Sequence, residues 1–361
     1  MTRGYARWTP WSGKRETGAA LGSWKVEAGR RTLCVALAVV SCLPACGGGE
    51  ERSVTCASGF GVFERIAPTL SPIHLGAELT WEAAEPSGEV EVGTASDAAA
   101  AEPDSWMTGG LLVLDQAGTV KVFARVVGDG CVAEERFEFV YDVRAGYPGP
   151  AGSADSTAVA LDDPRLVRWA SSVVEPVEYG AEVSADWRHP EQAVGPASGN
   201  PADVVSLGQG GSIVLELDPP VSDGSGPDFA VFENGVNDTF LELAFVEVSS
   251  DGEYFVRFDS AYLGDKEVGA YAGHDTTLIG GLAGKYRGGF GTPFDLAWLE
   301  PYPDVQSGKV DLSSIRFVRL VDVVGDGSRQ DSFGHPVYAP FPTKESAGFD
   351  LDGIGALSGS P

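Results

Sequence analysis

The chain has 361 residues and carries 52 acidic against 25 basic side chains, a formal net charge of −27. Beyond residue 45 there remain 18 basic and 50 acidic residues, a formal charge of −32. Such a surface repels the phosphate backbone, so the composition excludes a nucleic-acid-binding protein. The same charge attracts divalent cations and helps to keep an exported protein soluble.

The N-terminal segment has the order of residues found in an export signal. Arg30 and Arg31 precede an apolar run over residues 33–43, and small residues follow. The run is shorter than the roughly 20 residues that cross a bilayer. Residues 1–45 are therefore predicted to be a signal peptide. The long stretch before the run indicates a true start further downstream, for example at Val26.

The residues around Cys46 resemble a bacterial lipobox, because small residues precede the cysteine and three glycines follow it. The resemblance implies that Cys46 is lipidated and that residues 46–52 form a flexible tether. It also implies an outer-membrane lipoprotein of the cell envelope, exposed at the surface, that meets the membrane only through its lipid. Two alternatives remain, cleavage before Cys42 and an ordinary secretory cut that leaves Cys46 as a structural cysteine.

Two cysteines remain once the signal and the lipid site are set aside, and they are predicted to pair. Cys56 and Cys131 would face an oxidising compartment, where one disulfide is the simplest outcome. A loop of that length contributes about 4 kcal/mol on the chain-entropy model. No CxxC motif supports a zinc or redox site.

Residues 53–145 are typical of an Ig-like β-sandwich. Alternating apolar residues mark short strands, and Gly128-Asp129-Gly130 suits a hairpin. Cys56, Trp81 and Cys131 occur in the order known from Ig-like domains. A stretch rich in glycine and proline, residues 146–156, is predicted to be a hinge.

Residues 157–357 are predicted to form a larger jelly-roll β-sandwich with one short helix. Asp163 and Pro164 have the character of a helix start, and apolar residues up to Pro176 mark one helical face. From residue 204 onward the signals are those of strands separated by long glycine-rich loops. The whole mature chain is thus predicted to be all-β.

Several ordered motifs of the C-terminal region resemble those of an uncharacterised family of bacterial cell-surface proteins. The motifs are LGQGGSI at 207–213, PDFAVFENG at 227–235, VEVSSDG at 246–252, GLAGKY at 281–286, GTPFDL at 291–296 and GFDLD at 348–352. A weaker similarity is to galactose-binding-like, discoidin-type jelly rolls. That similarity implies a binding module, often with a structural Ca²⁺.

Acidic residues in three groups of loops are the candidate Ca²⁺ ligands. Ca²⁺ takes six to eight oxygens, which glycine-rich turns can bring together. The alternative is that these carboxylates cap turns. The candidates are Asp223, Asp228, Glu233, Asn234, Asp322, Asp326, Asp331, Asp350 and Asp352.

Aromatic and basic residues near loops are the candidate ligand contacts, namely Trp187, Tyr286, Arg287 and Trp298. Aromatic rings can stack on a sugar, although packing inside the fold is the competing interpretation. The histidines are isolated in sequence, and no nucleophile-elbow motif follows a strand.

Taken together, the sequence predicts a non-catalytic surface module that binds a glycan or another extracellular partner. A structural or adhesive envelope protein is the first alternative. A secreted glycan-active hydrolase with paired carboxylates is the second.

Overall fold

The computed structural model describes residues 54–55, 63–84, 88–128 and 131–358. The predicted signal peptide, Cys46 and Cys56 lie outside these residues. Residues 52–361 form one compact unit. Within the described part, no helix has the length and apolar character to span a membrane.

The described residues of the N-terminal lobe form ten strands. They are β1 Val54–Thr55, β2 Phe63–Arg65, β3 Ile73–His74, β4 Glu78–Thr80, β5 Glu82–Ala83, β6 Glu89–Ala95, β7 Met107–Thr108, β8 Leu111–Val113, β9 Gly118–Gly128 and β10 Cys131–Arg144. The main sheet has the order β1-β10-β9-β6-β7, with β3 also beside β10, and the pairs β2-β5 and β4-β8 complete the lobe. Trp81, Leu79 and Tyr141 lie in its buried core.

The C-terminal lobe contains fifteen strands and a four-residue α-helix within the described residues. They are β11 Val159–Ala160, β12 Leu166–Trp169, β13 Ser172–Glu178, β14 Val205–Ser206, β15 Ser212–Val221, β16 Phe229–Glu233, β17 Ala244–Ser249, β18 Val256–Arg257, β19 Ala261–Tyr262, β20 Ile279–Gly280, β21 Phe290–Phe294, α1 Pro303–Gln306, β22 Ile315–Asp322, β23 Asp326–Gln330, β24 Pro336–Tyr338 and β25 Asp350–Leu357. Short 3₁₀ turns cover Ala185–Trp187, Pro190–Ala193, Thr276–Leu278, Leu296–Leu299 and Leu312–Ser314.

Two antiparallel sheets of this lobe face each other across one core. One has the order β11-β21-β16-β25-β12, with β14 also beside β25, and the other has the order β13-β15-β22-β17-β18. The apolar side chains of SIVLEL at 212–217 alternate inward, as the sequence pattern requires. Leu215 and Leu320 from one sheet meet Phe229 and Ile354 from the other in a common cluster. The all-β prediction is confirmed.

The predicted helix after Asp163 is wrong, because that segment forms β12 and β13. The Asp163 carboxylate does accept a hydrogen bond from the Arg165 N–H, at 2.9 Å, but it closes only a turn. The following backbone donors bond to neighbouring strands: Ala170 N–H donates to the Ile354 carbonyl at 2.9 Å. Valines in this stretch favour strands, so the tertiary partners outweigh the local start signal.

The segment predicted to be a hinge, residues 146–156, is packed against both lobes. Tyr147 is 3% exposed. Its N–H donates to the Thr277 carbonyl at 3.0 Å, and its hydroxyl lies 3.1 Å from Nδ1 of His74. Tyr147 thus contacts residues of both lobes, and the hinge at residues 146–156 stays a prediction.

Asp259 joins the two lobes directly. Its Oδ2 accepts a hydrogen bond from Thr69 N–H of the N-terminal lobe at 2.7 Å, and the Tyr302 hydroxyl donates to the same oxygen. The Thr69 hydroxyl in turn donates to the Trp298 carbonyl. Burial raises the pKa of Asp259, which hydrogen bonding partly offsets.

Gly284 allows the 281–286 loop to lie against the start of β17. Its φ is +83°, and a Cβ built there would come within 1.9 Å of the Glu242 carbonyl oxygen. Only glycine fits such an approach at such a φ. The spacing of the GLAGKY motif therefore has a steric cause.

Replacing Asp259 with alanine should lower the free energy of unfolding by about 2–3 kcal/mol, because Thr69 and Tyr302 lose their acceptor. Urea unfolding would measure this. Asp304→Ala is the matched control, since Asp304 forms an exposed ion pair with Lys309 at 2.7 Å; such pairs contribute less than about 1 kcal/mol. Equal stability of the two variants would contradict the role assigned to Asp259.

Candidate functional site

Three aspartates at one end of the sandwich bring their carboxylates together. Asp223 follows β15, Asp228 precedes β16 and Asp295 follows β21. One carboxylate oxygen from each of the three lies within 4.8 Å of the other two. Among the described residues this carboxylate triad is the group that converges as a metal site would. The sequence predicted Asp223 and Asp228 as ligands and missed Asp295, which lies sixty-seven positions further along the chain.

Each member of the triad has a different hydrogen-bonding state. Asp228 accepts Gly224 N–H on one oxygen and Leu296 N–H on the other, both at 2.8 Å. Asp295 accepts Ala297 N–H at 3.0 Å and caps the 3₁₀ turn Leu296–Leu299. Oδ1 of Asp223 is enclosed and has no hydrogen-bond partner.

The electrostatics of the triad disfavour three negative charges. Burial raises the pKa of Asp228 to about 7, and repulsion from Asp295 and Asp223 adds to the shift. Burial likewise raises the pKa of Asp223 and of Asp295. Oxygen donors without histidine or cysteine fit a hard divalent cation such as Ca²⁺.

A polar depression of about 740 Å³ opens beside the triad and shares Asp223 with it. Its other polar residues are Glu300, Gln306, Asp311 and Ser313, and its apolar floor comes from Val305, Val310 and Leu312. The lining combines hydroxyl, amide and carboxylate groups with an apolar surface of similar extent. Such a surface suits a neutral ligand rich in hydroxyl groups.

A second group, the buried acid cluster, lies where several of the sequence motifs meet. It consists of Glu233, Glu242, Asp322 and Asp350, which are 2%, 5%, 1% and 4% exposed. Burial raises the pKa of all four, to about 7 for Asp322 and Asp350. Repulsion from Asp350 further raises the pKa of Glu233 and of Glu242.

Hydrogen bonds satisfy most of this cluster. Asp322 accepts Gly210 N–H and Phe349 N–H, each at 2.7 Å. Glu242 accepts the Thr343 hydroxyl at 2.9 Å, whereas Oδ1 of Asp350 has no partner. The sequence predicted Glu233, Asp322 and Asp350 as candidate Ca²⁺ ligands and missed Glu242.

Of the four remaining predicted metal ligands, the three aspartates accept hydrogen bonds from loops, and Asn234 donates one. Asp352 accepts Ser198 N–H and Gly199 N–H at 2.7 and 2.8 Å. Asp331 accepts His335 N–H at 2.8 Å, besides Phe333 and Tyr262 N–H. Exposed Asp326 accepts Ser328 N–H at 2.9 Å. The Asn234 amide donates to the Pro201 carbonyl at 2.9 Å. For these residues the turn-capping alternative describes the geometry.

The predicted ligand contacts have separate surroundings. Tyr286 is 1% exposed, and its hydroxyl lies 2.9 Å from the Thr157 hydroxyl. Arg287 pairs with Asp238 at 2.5 Å. Trp187 ends the 3₁₀ turn Ala185–Trp187 and is partly exposed. Trp298 packs between two apolar clusters at the junction of the lobes.

Cys131, the first residue of β10, is disulfide-bonded. Cys56 lies outside the described residues, so the Cys56–Cys131 pairing stays a prediction. The same holds for lipidation of Cys46.

Comparison with known proteins gives only loose matches. No family model matches the chain, and no curated protein does. Among solved structures it is similar to SusE-like protein BT2857, with a TM-score of 0.29 and 9% identity over 82% of this chain and 96% of the other. It is also similar to a structure from work on carbohydrate-binding modules of the β-sandwich superfamily, with a TM-score of 0.19 and 12% identity over 86% and 100% of the two chains. Overlaps of this size do not transfer a ligand.

Asp350→Asn should become more stable relative to the wild type as the pH rises. In the wild type, unfolded Asp350 loses its proton near pH 3.8, but the folded residue keeps it up to a pKa of about 7. The free energy of unfolding of the wild type therefore decreases as the pH rises between these two pKa values, and this contribution is constant above the higher one. Urea unfolding in EDTA at pH 5, 6, 7 and 8 would measure the difference between the two proteins.

The expected gain for Asp350→Asn is at most about 1.4 kcal/mol per pH unit up to pH 7. Asp162→Asn, at an exposed position, is the control and should differ from the wild type by a constant amount. A constant difference for Asp350→Asn as well would show that this carboxyl titrates normally.

Proposed function

We propose that this protein is a non-catalytic binding module of the bacterial cell surface, held by a lipid on Cys46. It binds a glycan or another extracellular hydroxylated ligand in the polar depression, and Ca²⁺ at the carboxylate triad stabilises the surrounding loops. The observation that carries the proposal is the position and bonding of Asp223. This residue belongs to both sites, and its enclosed Oδ1 has no protein partner.

The energetics of the triad support a cation. Three carboxylates within 4.8 Å of one another repel when charged, and the nearby backbone donors compensate only part of the burial. A divalent ion would neutralise that repulsion and would complete its shell with water or ligand oxygens. Because binding displaces protons from raised-pKa carboxyls, Ca²⁺ affinity should increase with pH.

The charge of the molecule narrows the ligand class. With a net charge of −27 for the whole chain, an anionic polymer would be repelled. Glu300 and Asp311 can accept hydrogen bonds from hydroxyl groups. The Gln306 amide donates one N–H to the Glu300 carbonyl and has a second to donate to a ligand. The Ser313 hydroxyl donates to Asp311 and can accept from a ligand. A neutral sugar presents both kinds of group.

Calcium should raise the melting temperature of the purified protein by about 3–6 °C at 10 mM, as expected for a site with a Kd of about 0.1–1 mM. Differential scanning calorimetry with Ca²⁺ and with EDTA would measure the shift. Asp223→Asn should abolish it, whereas exposed Asp162→Asn should keep it. An unchanged shift in Asp223→Asn would place the ion elsewhere.

A glycan array should give hits among neutral glycans rather than sulfated or uronic ones. The double variant Gln306→Ala and Ser313→Ala should weaken binding at least about tenfold, because one donor and one acceptor for the ligand are lost. Gln330→Ala, on exposed strand β23, is the matched control. An array without hits, in Ca²⁺ as well as in EDTA, would refute glycan binding.

A further inference from the structure

A separate apolar pocket lies at the junction of the two lobes. It has a volume of about 100 Å³. Leu70 from the N-terminal lobe, Tyr147 from the connecting segment, and Ile279 and Trp298 from the C-terminal lobe form its walls. None of its lining residues belongs to the carboxylate triad or the polar depression.

A buried amine lines this pocket. Lys285 is 4% exposed. Its Nζ donates to the Thr276 carbonyl at 2.7 Å and to the Ile279 carbonyl at 2.5 Å. An ammonium group has three donors, so one remains for a further acceptor. Lysines are seldom fully buried without a partner of opposite charge, and no carboxylate in the described part of the chain forms an ion pair with Lys285.

Thr292, whose hydroxyl has no hydrogen-bond partner, is a second polar residue among those that line the pocket. Thr292, on β21, is 4% exposed, and its Oγ1 is buried without a hydrogen-bond partner. Leaving a buried polar atom unpaired costs about 1–3 kcal/mol. The pocket therefore combines apolar walls with two polar groups that have unused hydrogen-bonding capacity.

We propose that this pocket binds a small aliphatic carboxylate. The apolar body lies against Leu70, Ile279 and Trp298, and the carboxylate accepts hydrogen bonds from Lys285 Nζ and Thr292 Oγ1. An acceptor-only group matches two donors, and its negative charge compensates the ammonium. A cavity of about 150 Å³ is known to hold benzene, with its six carbon atoms. This smaller pocket therefore encloses about four non-hydrogen atoms, which matches the carbon skeleton of a four-carbon acid.

The protonation of Lys285 gives the binding a distinctive pH dependence. Burial lowers the pKa of Lys285 to about 7, and Asp155 and Asp275 oppose that shift from a distance. The rings of Tyr147 and Tyr286 lie 6.0 and 5.7 Å from Nζ, and burial raises the pKa of both tyrosines, which stay neutral. Carboxylate binding should thus weaken as the pH rises through 7.

Isobutyrate is the probe, titrated into the purified full chain and followed by saturation-transfer NMR and calorimetry. We expect saturable binding with a Kd of the order of 1 mM at pH 6, and at least about tenfold weaker binding at pH 8.5. Isobutyramide, with the same shape and no charge, should bind more weakly at pH 6, and isobutylamine should not bind.

Two near-isosteric variants test the contacts. Lys285→Met removes the charge and Thr292→Val removes the hydroxyl, and each should weaken isobutyrate binding at least about tenfold. Lys266→Met, in an exposed loop, is the control. Retention of the calcium-dependent melting shift would show that both variants fold, and near-UV circular dichroism would show it independently of calcium.

The proposal would be overturned if no saturable binding were seen up to 50 mM isobutyrate. It would also be overturned if neither variant nor the change of pH altered the Kd. Because no residue is shared with the carboxylate triad or the polar depression, these outcomes are independent of whether Ca²⁺ or a glycan binds there.

Discussion

The C-terminal lobe depends on one interaction, the hydrogen bonds that loop N–H groups donate to buried aspartates. Asp322 accepts hydrogen bonds from the N–H groups of Gly210 and Phe349. Asp352 accepts them from the N–H groups of Ser198 and Gly199. Loops between strands have no ladder partner for their backbone donors, and a buried N–H left unpaired is costly. One carboxylate can accept two or three such donors, so few side chains order long glycine-rich segments.

The burial of these carboxylates also determines their electrostatic properties. A carboxylate that is enclosed to hold a loop is also removed from water, and its charged form becomes expensive. Where the backbone donors suffice, as at Asp352, the result is structural. Where Asp223, Asp228 and Asp295 meet with one oxygen unpartnered, the remaining charge favours a cation. The polar depression depends on that triad through Asp223.

Local patterns of the sequence predicted the strands well, because alternation reports which face of a strand is buried. SIVLEL at 212–217 and the long hairpin strands β9 and β10 are examples. The predicted helix after Asp163 failed because its donors bond to strands β15 and β25, distant in sequence. Asp295 and Glu242 were missed for a related reason, since spacing along the chain does not reveal which loops converge. The pocket at Lys285 needs residues from three segments, and no motif marks it.

Gly284 has a consequence for tracing the ancestry of this fold. A methyl group there would collide with the carbonyl of Glu242, and no change in the surrounding side chains removes a backbone atom. Gly281 is under the same constraint, since a Cβ would lie 2.0 Å from the Asp259 carbonyl oxygen. Diverged homologues that keep this loop must therefore retain both glycines even after their surfaces have changed entirely. A profile weighted on such sterically obligatory positions should detect kinship that whole-sequence comparison overlooks.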